Sequence, residues 1–283
     1  MQVWKDMMQQ YRKNAINCKI DGQIQEQLGQ TRFGGHPDVP KDFVWPTYET
    51  ETFFDKTIKK RPLSFLAQFR CADLVQYDTA SLLPKTGILS FFYETLSMEW
   101  GYSPKEKGCS RVYWFPEDAL QQAEFPIDLE EYCRFPALSI QFANEINFPA
   151  LEDLYWKADM RNMNWDEYVL YCEQMGNVSK NQSQVSKLLG WADVIQNNMT
   201  TQCELVTQGY DVGHGYQNIP ETVMQKADQT SLDQWQLLFQ LDTVEDSAFE
   251  LMFGDCGRIY YYIKTEDLKQ KRFDKHWLIL QCY

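Results

Sequence analysis

The stretch PLSFLAQF (62–69) decides how the chain is read. It is almost wholly apolar and too short for a stable isolated helix, so the expectation is a strand buried on both faces. A single amide, Gln68, interrupts it. Far downstream, WQLLFQLD (235–242) repeats the pattern, with Gln240 falling on Gln68. Each amide needs partners, because one left unpaired in a core costs about 1–3 kcal/mol. Bonding to nearby loop backbone meets that need. The functional alternative is a pseudo-symmetric polar pair at the junction of two halves, facing an aromatic-lined cleft.

The likeness extends outward from both stretches. Upstream, RFGGHPDVP (32–40) lies on KLLGWADVI (187–195), setting Gly35 on Gly190, Asp38 on Asp193 and Val39 on Val194. Downstream, TGILSFFY (86–93) lies on CGRIYYYI (256–263), with Gly87 on Gly257. Three matches in the same order point to an internal duplication. The expected fold class is therefore α+β, two tandem related sheet-containing units with peripheral helices. The boundaries are a first half over 1–150, a helical connection and polar loop over 151–186, and a second half over 187–283. Packing of the halves into one globular domain is compatible with this division.

Further elements follow from local pattern. Trp4, Met8, Tyr11 and Ala15 fall at helical spacing and predict an N-terminal helix. ILSFFYE (88–94), RVYWF (111–115) and ALSIQFA (137–143) read as strands, and a brief helix is expected over 72–76. Asn164 followed by Glu167 is a capping box that starts a helix running to about Met175, and Gly176 ends it. NVSKNQSQVS (177–186) resembles a flexible surface loop.

The 283 residues are 44% hydrophobic and 24% charged, an ordinary globular balance. The 9 Trp, 16 Tyr and 17 Phe suit a dense core and can equally line a binding cleft. Forty acidic against 27 basic residues leave a net charge of −13, which repels phosphate backbones and anionic lipid. Nucleic acid and membranes are accordingly not expected as partners. The amino terminus carries Lys5, Asp6, Arg12 and Lys13 and has no signal-peptide apolar run. Eight dispersed cysteines with no CxxC then read as reduced thiols in a cytoplasmic protein.

The segments FGGHPDVPKDFVWP (33–46), PLSFLAQF (62–69), LPKTGILSFFY (83–93), LLGWADVIQ (188–196), WQLLFQLD (235–242) and FGDCGRIYYYIKTEDL (253–268) together resemble the YwqG-like family of uncharacterised bacterial proteins. They span nearly the whole chain. The resemblance implies an α+β fold with a duplicated sheet-containing unit in a cytoplasmic bacterial protein, and it implies no activity.

Chemistry-bearing motifs are scarce. His36, His214 and His276 have no paired helical spacing, and no GxGxxG, P-loop or GxSxG occurs, so neither a metal nor a cofactor is expected. The ligand-binding candidates are Arg32, His36 and Trp45 in the first glycine- and proline-rich loop, Trp191 and Asp193 in its counterpart, the amides Gln68 and Gln240, and Asp255 between two glycines. The leading expectation is a non-catalytic binding or interaction protein. It would hold an unknown small molecule, or neutralise a basic protein to which −13 is complementary. The alternative is an enzyme such as a carbohydrate-active hydrolase, with carboxylates and aromatics in a cleft between the halves.

Overall fold

The computed structural model describes residues 8–154, 164–175, 185–246 and 249–283. The first half contributes β1 (Lys13–Gln23), β2 (Arg32–Phe33), β3 (Asp38–Pro40), β4 (Thr47–Thr50), β5 (Lys59–Pro62), β6 (Ser64–Arg70), β7 (Ile88–Tyr93), β8 (Ser110–Phe115), β9 (Leu120–Gln122) and β10 (Leu138–Asn147). From the second come β11 (Lys187–Leu189), β12 (Trp235–Asp242), β13 (Val244–Asp246), β14 (Phe249–Leu251), β15 (Arg258–Lys264) and β16 (Trp277–Gln281). With helices beside this much sheet, the class is α+β.

Ten of the strands form one antiparallel sheet in the order β16-β15-β12-β11-β1-β10-β2-β6-β7-β8. Its centre is the long pairing of β1 with β10, from Lys13↔Asn147 to Gln23↔Leu138. Outward from that centre the two wings have matching parts. β2 and β11 each precede a tight loop, β6 and β12 carry the amides, and an aromatic hairpin follows on each side. All residues of β7 and β12 are buried, as are all of β6 but Arg70, which explains why their sequences show no polar alternation. The sheet curls until its edges meet. There Ser110 Oγ–H donates to His276 Nε2 (2.9 Å), His276 Nδ1–H to the Phe273 carbonyl (2.7 Å), and Tyr261 Oη–H to the Phe92 carbonyl (3.0 Å).

The main core draws on both wings. Phe69 and Phe91 of the first half meet Phe239 of the second at ring distances of 5.2 and 4.7 Å, and Phe91 also meets Tyr261 at 5.0 Å. A second cluster forms where helices Met199–Thr207 and Glu221–Gln234 cover one face of the second wing. Among the described residues, no helix is long and apolar enough to cross a membrane.

The N-terminal helix is corrected by the structure. Residues 8–10 are helical, but the chain is extended from Lys13, and Ala15 lies in β1. Ile16, Cys18 and Ile20 are buried in alternation with the more exposed Asn17, Lys19 and Asp21, and this period of two wins over the looser helical spacing that ends at Ala15. Residues 1–7 lie outside the described part, as does most of the polar loop over 177–186. Asn164 caps the helix Trp165–Gln174, its side chain accepting from the Asp166 and Glu167 N–H groups.

Candidate functional site

The two loops between the wings and the core are pinned by one repeated arrangement. In the first, Arg32 of β2 faces Gln68 of β6, and Asp38 follows the turn. Gln68 Oε1 accepts the Asp38 N–H (2.9 Å), while its Nε2 donates to Asp38 Oδ2 (2.6 Å) and to the Gln30 carbonyl (2.8 Å). In the second, Lys187 of β11 faces Gln240 of β12. Gln240 Oε1 accepts the Asp193 N–H (2.9 Å), and its Nε2 donates to Asp193 Oδ2 (2.8 Å) and to the Val185 carbonyl. The cation then pairs with the aspartate, Arg32 with Asp38 at 2.9 Å and Lys187 with Asp193 at 2.7 Å. Backbone conformation follows suit: φ is +61° at Gly34 and +69° at Gly35, against +60° at Leu189 and +70° at Gly190. Glycine is obligatory at 34, where a Cβ would stand 2.1 Å from the Pro136 carbonyl oxygen.

These contacts answer what the amides do. Gln68 and Gln240 are fully buried, and each satisfies a loop backbone N–H, a carbonyl and a carboxylate. Arg32 is likewise fully buried, also donating to the carbonyls of Gln27, Gln30 and His36. The arrangement fixes the loops and leaves these side chains no surface for a ligand.

What the loops present differs at one position. Trp191 is a plug in the second wing, 5% exposed, donating its indole N–H to the Tyr11 carbonyl and packing with Phe148, Tyr168 and Tyr171. Lys13 Nζ sits 3.6 Å from its ring centroid. The corresponding residue of the first wing is His36, whose side chain is 35% exposed beside an open groove of about 720 Å³. Glu26 anchors His36 by accepting its backbone N–H (2.7 Å) and lying 3.2 Å from ring Nδ1. Gln122 Nε2 holds the same carboxylate at 3.2 Å. Phe125 covers the imidazole with ring centroids 4.4 Å apart. The remaining wall includes Tyr132, Arg134 and Phe135 from the first half and Phe249 and Glu250 from the second. The groove thus lies between the halves and against the first loop. Arg134 is fixed by donating to the Leu129 and Pro126 carbonyls, with its guanidinium 5.6 Å from the Phe125 ring centre.

Residues 31–282 match the family model of a domain of unknown function, DUF1963. The chain belongs to this family. No curated protein matches it. The DUF1963 match takes in both pinned loops and every wing strand, so the paired arrangement lies within the family domain itself.

Of the eight sequence candidates in this DUF1963 chain, His36 alone lines the groove. Trp45 is partly buried, donates to the Leu63 carbonyl (2.9 Å) and lies 6.0 Å from Phe125, supporting the wall from behind. Asp193 is paired with Lys187, and its carbonyl accepts from Tyr260 Oη (2.8 Å). Asp255 is exposed in a turn on which the Tyr283 N–H closes. Sequence reasoning missed Glu26, Phe125, Tyr132, Arg134, Phe249 and Glu250, which come from three separate segments with no shared spacing. The cysteines are all free, and seven are buried. Burial pushes the thiols of Cys18, Cys109 and Cys203 far up and that of Cys71 up to about 12, so they stay protonated and poorly nucleophilic. Among the described residues, no three His, Cys, Asp or Glu side chains are grouped to hold a metal.

Proposed function

We propose that the protein is a non-catalytic ligand-binding protein whose site is the groove beside His36. One observation carries this reading: two loops held by the same contacts end differently, one closed by Trp191 and the other left open against aromatic walls from both halves. A groove of this size, with a few converging polar groups, suits a small molecule or a side chain of a larger partner. Among the described residues no serine, threonine or cysteine lines it, so His36 and Glu26 act as anchoring groups in this reading. The resemblance to YwqG-like proteins, together with the free cysteines, supports placing it in a bacterial cytoplasm.

A thermal-shift screen of metabolites and sugars tests the site. A ligand at a hundred times its Kd stabilises the folded chain by about 2.7 kcal/mol, a shift of several degrees. That shift is expected to vanish in His36→Ala and Phe125→Ala. A shift that survives both substitutions overturns the assignment. Release of reducing sugar from any stabilising oligosaccharide would favour the hydrolase reading instead.

A further inference from the structure

Resting on the groove reading, we infer that its ligand is an organic cation: an amine or guanidinium carried on an apolar body. The first observation is the lining. Glu26, Glu131 and Glu250 contribute carboxylates among the rings of Phe125, Tyr132 and Phe249. Glu26 is already engaged by His36 and, at 3.9 Å, by buried Arg32. Arg134 is the basic side chain of the lining that stands nearest Glu131 in sequence, and no ion pair among the described residues involves Glu131 or Glu250. Aromatic faces with carboxylates at their edges attract cations by quadrupole and charge together. Arg134 already uses this groove in that way, lying over Phe125 while backbone carbonyls hold its Nε and Nη2.

The second observation is independent of the groove's shape. In the β13–β14 hairpin, Glu245 stands directly opposite Glu250. Like charges in that position destabilise a strand pair, and no cation among the described residues pairs with either one. An arriving cation at Glu250 would relieve this repulsion, whereas an anion would add to it. The closed wing shows the same chemistry completed within the chain, with the Lys13 ammonium over Trp191 and donating to Gln236 Oε1 at 3.1 Å.

The test is a calorimetric titration of the full chain with three probes: phenethylammonium, the anion 3-phenylpropionate and a tetralysine peptide. Phenethylammonium is expected to bind, with its Kd raised at least about tenfold in the Glu131→Gln/Glu250→Gln double variant and by salt. Phenylpropionate is expected not to bind. The peptide separates two sources of one chemistry: affinity at least about tenfold above phenethylammonium assigns a basic protein partner, and equal or weaker affinity assigns a small amine. Binding of phenylpropionate that is lost in His36→Ala overturns the cation class and keeps the groove as a ligand site. Cation binding undiminished in the double variant overturns the assignment to these carboxylates. Silence from all three probes overturns the cation class, and an empty metabolite screen as well would remove the groove reading with it.

Discussion

The first loop and the second are built on one plan, yet the cation at the heart of each is different. Arg32 spreads its donors over Asp38 and three carbonyls, those of Gln27, Gln30 and His36. Lys187 has Asp193 at 2.7 Å and Glu145 at 3.5 Å. The difference follows from what the neighbours already do. In the second loop, Asn147 Nδ2 donates to the Trp191 carbonyl (2.7 Å), the counterpart of the His36 carbonyl that Arg32 serves. With that acceptor taken, a point charge suffices, whereas the first loop needs a planar fork. In loop 33–40 one fork, Arg32, serves both the aspartate and the His36 carbonyl, beside the Gln68 and Glu26 contacts, whereas in loop 188–195 these two tasks are divided between Lys187 and Asn147. The first, held from beneath, leaves His36 partly exposed at a groove, with Phe125 over its ring.

The largest effect should come from removing the two cations. Arg32→Ala leaves Asp38, whose side chain is fully buried, as an uncompensated charge, and the expected loss is about 3–5 kcal/mol in urea unfolding. Lys187→Ala also strands Glu145, whose side chain is 2% exposed, so the comparison is made in a Glu145→Gln background. There Lys187→Ala should cost less, roughly 1–2 kcal/mol, because the Asp193 side chain is 20% exposed and water can replace the partner. Equal losses would break the comparison at its base.

The next effect distinguishes the walls behind the loops. Behind Trp191, burial holds the Asp153 carboxyl up at about 7 and the Lys13 ammonium down at about 8. The folded chain therefore keeps a proton on Asp153 that the unfolded chain releases near 3.8, so stability should fall as pH rises from about 4 to about 7. For Lys13 the folded chain gives up its proton earlier than the unfolded one, and stability should climb again from about 8 to about 10.5. Asp153→Asn is expected to flatten the lower limb and to widen the upper one, because the Asp153 charge helps Lys13 keep its proton. Urea midpoints across this range measure both, and an unchanged lower limb would detach Asp153 from the plug.

Much of this plan could be read from residue types alone. Buried strands at 64–70 and 235–242 follow from uninterrupted apolar runs, and laying RFGGHPDVP on KLLGWADVI already puts Arg32 on Lys187 and His36 on Trp191. That last pairing, a polar ring facing an indole, was the available sign that the loops diverge. β1 was hidden because Trp4, Met8, Tyr11 and Ala15 mimic a helical stripe that runs into it, although Asn17, Lys19 and Asp21 alternate with Ile16, Cys18 and Ile20. The groove walls were illegible for another reason. Glu26, Phe125 and Phe249 meet only because the segment after β1, the segment before β10, and the β13–β14 hairpin converge in space, and no local pattern encodes convergence of distant segments.

The smallest effect is also the sharpest probe of why the two cations differ. If lysine stands at 187 because Asn147 has already satisfied the Trp191 carbonyl, then Lys187→Arg brings donors for which no free carbonyl is waiting. The Val185 carbonyl accepts from Gln240, whereas its counterpart on Gln30 is shared by Gln68 and Arg32. The introduced guanidinium should still pair with Asp193 and reach Glu145, whose Oε1 has no hydrogen bond. The gain of a second carboxylate contact and the cost of stranded N–H groups are each about 1 kcal/mol and opposite in sign, so Lys187→Arg should change stability by less than about 1 kcal/mol. Adding Asn147→Ala frees the Trp191 carbonyl. In that background Lys187→Arg should recover part of the loss that Asn147→Ala causes when Lys187 is kept, a coupling readable from a double-mutant cycle. Zero coupling would mean that the lysine reflects something other than the occupied carbonyl.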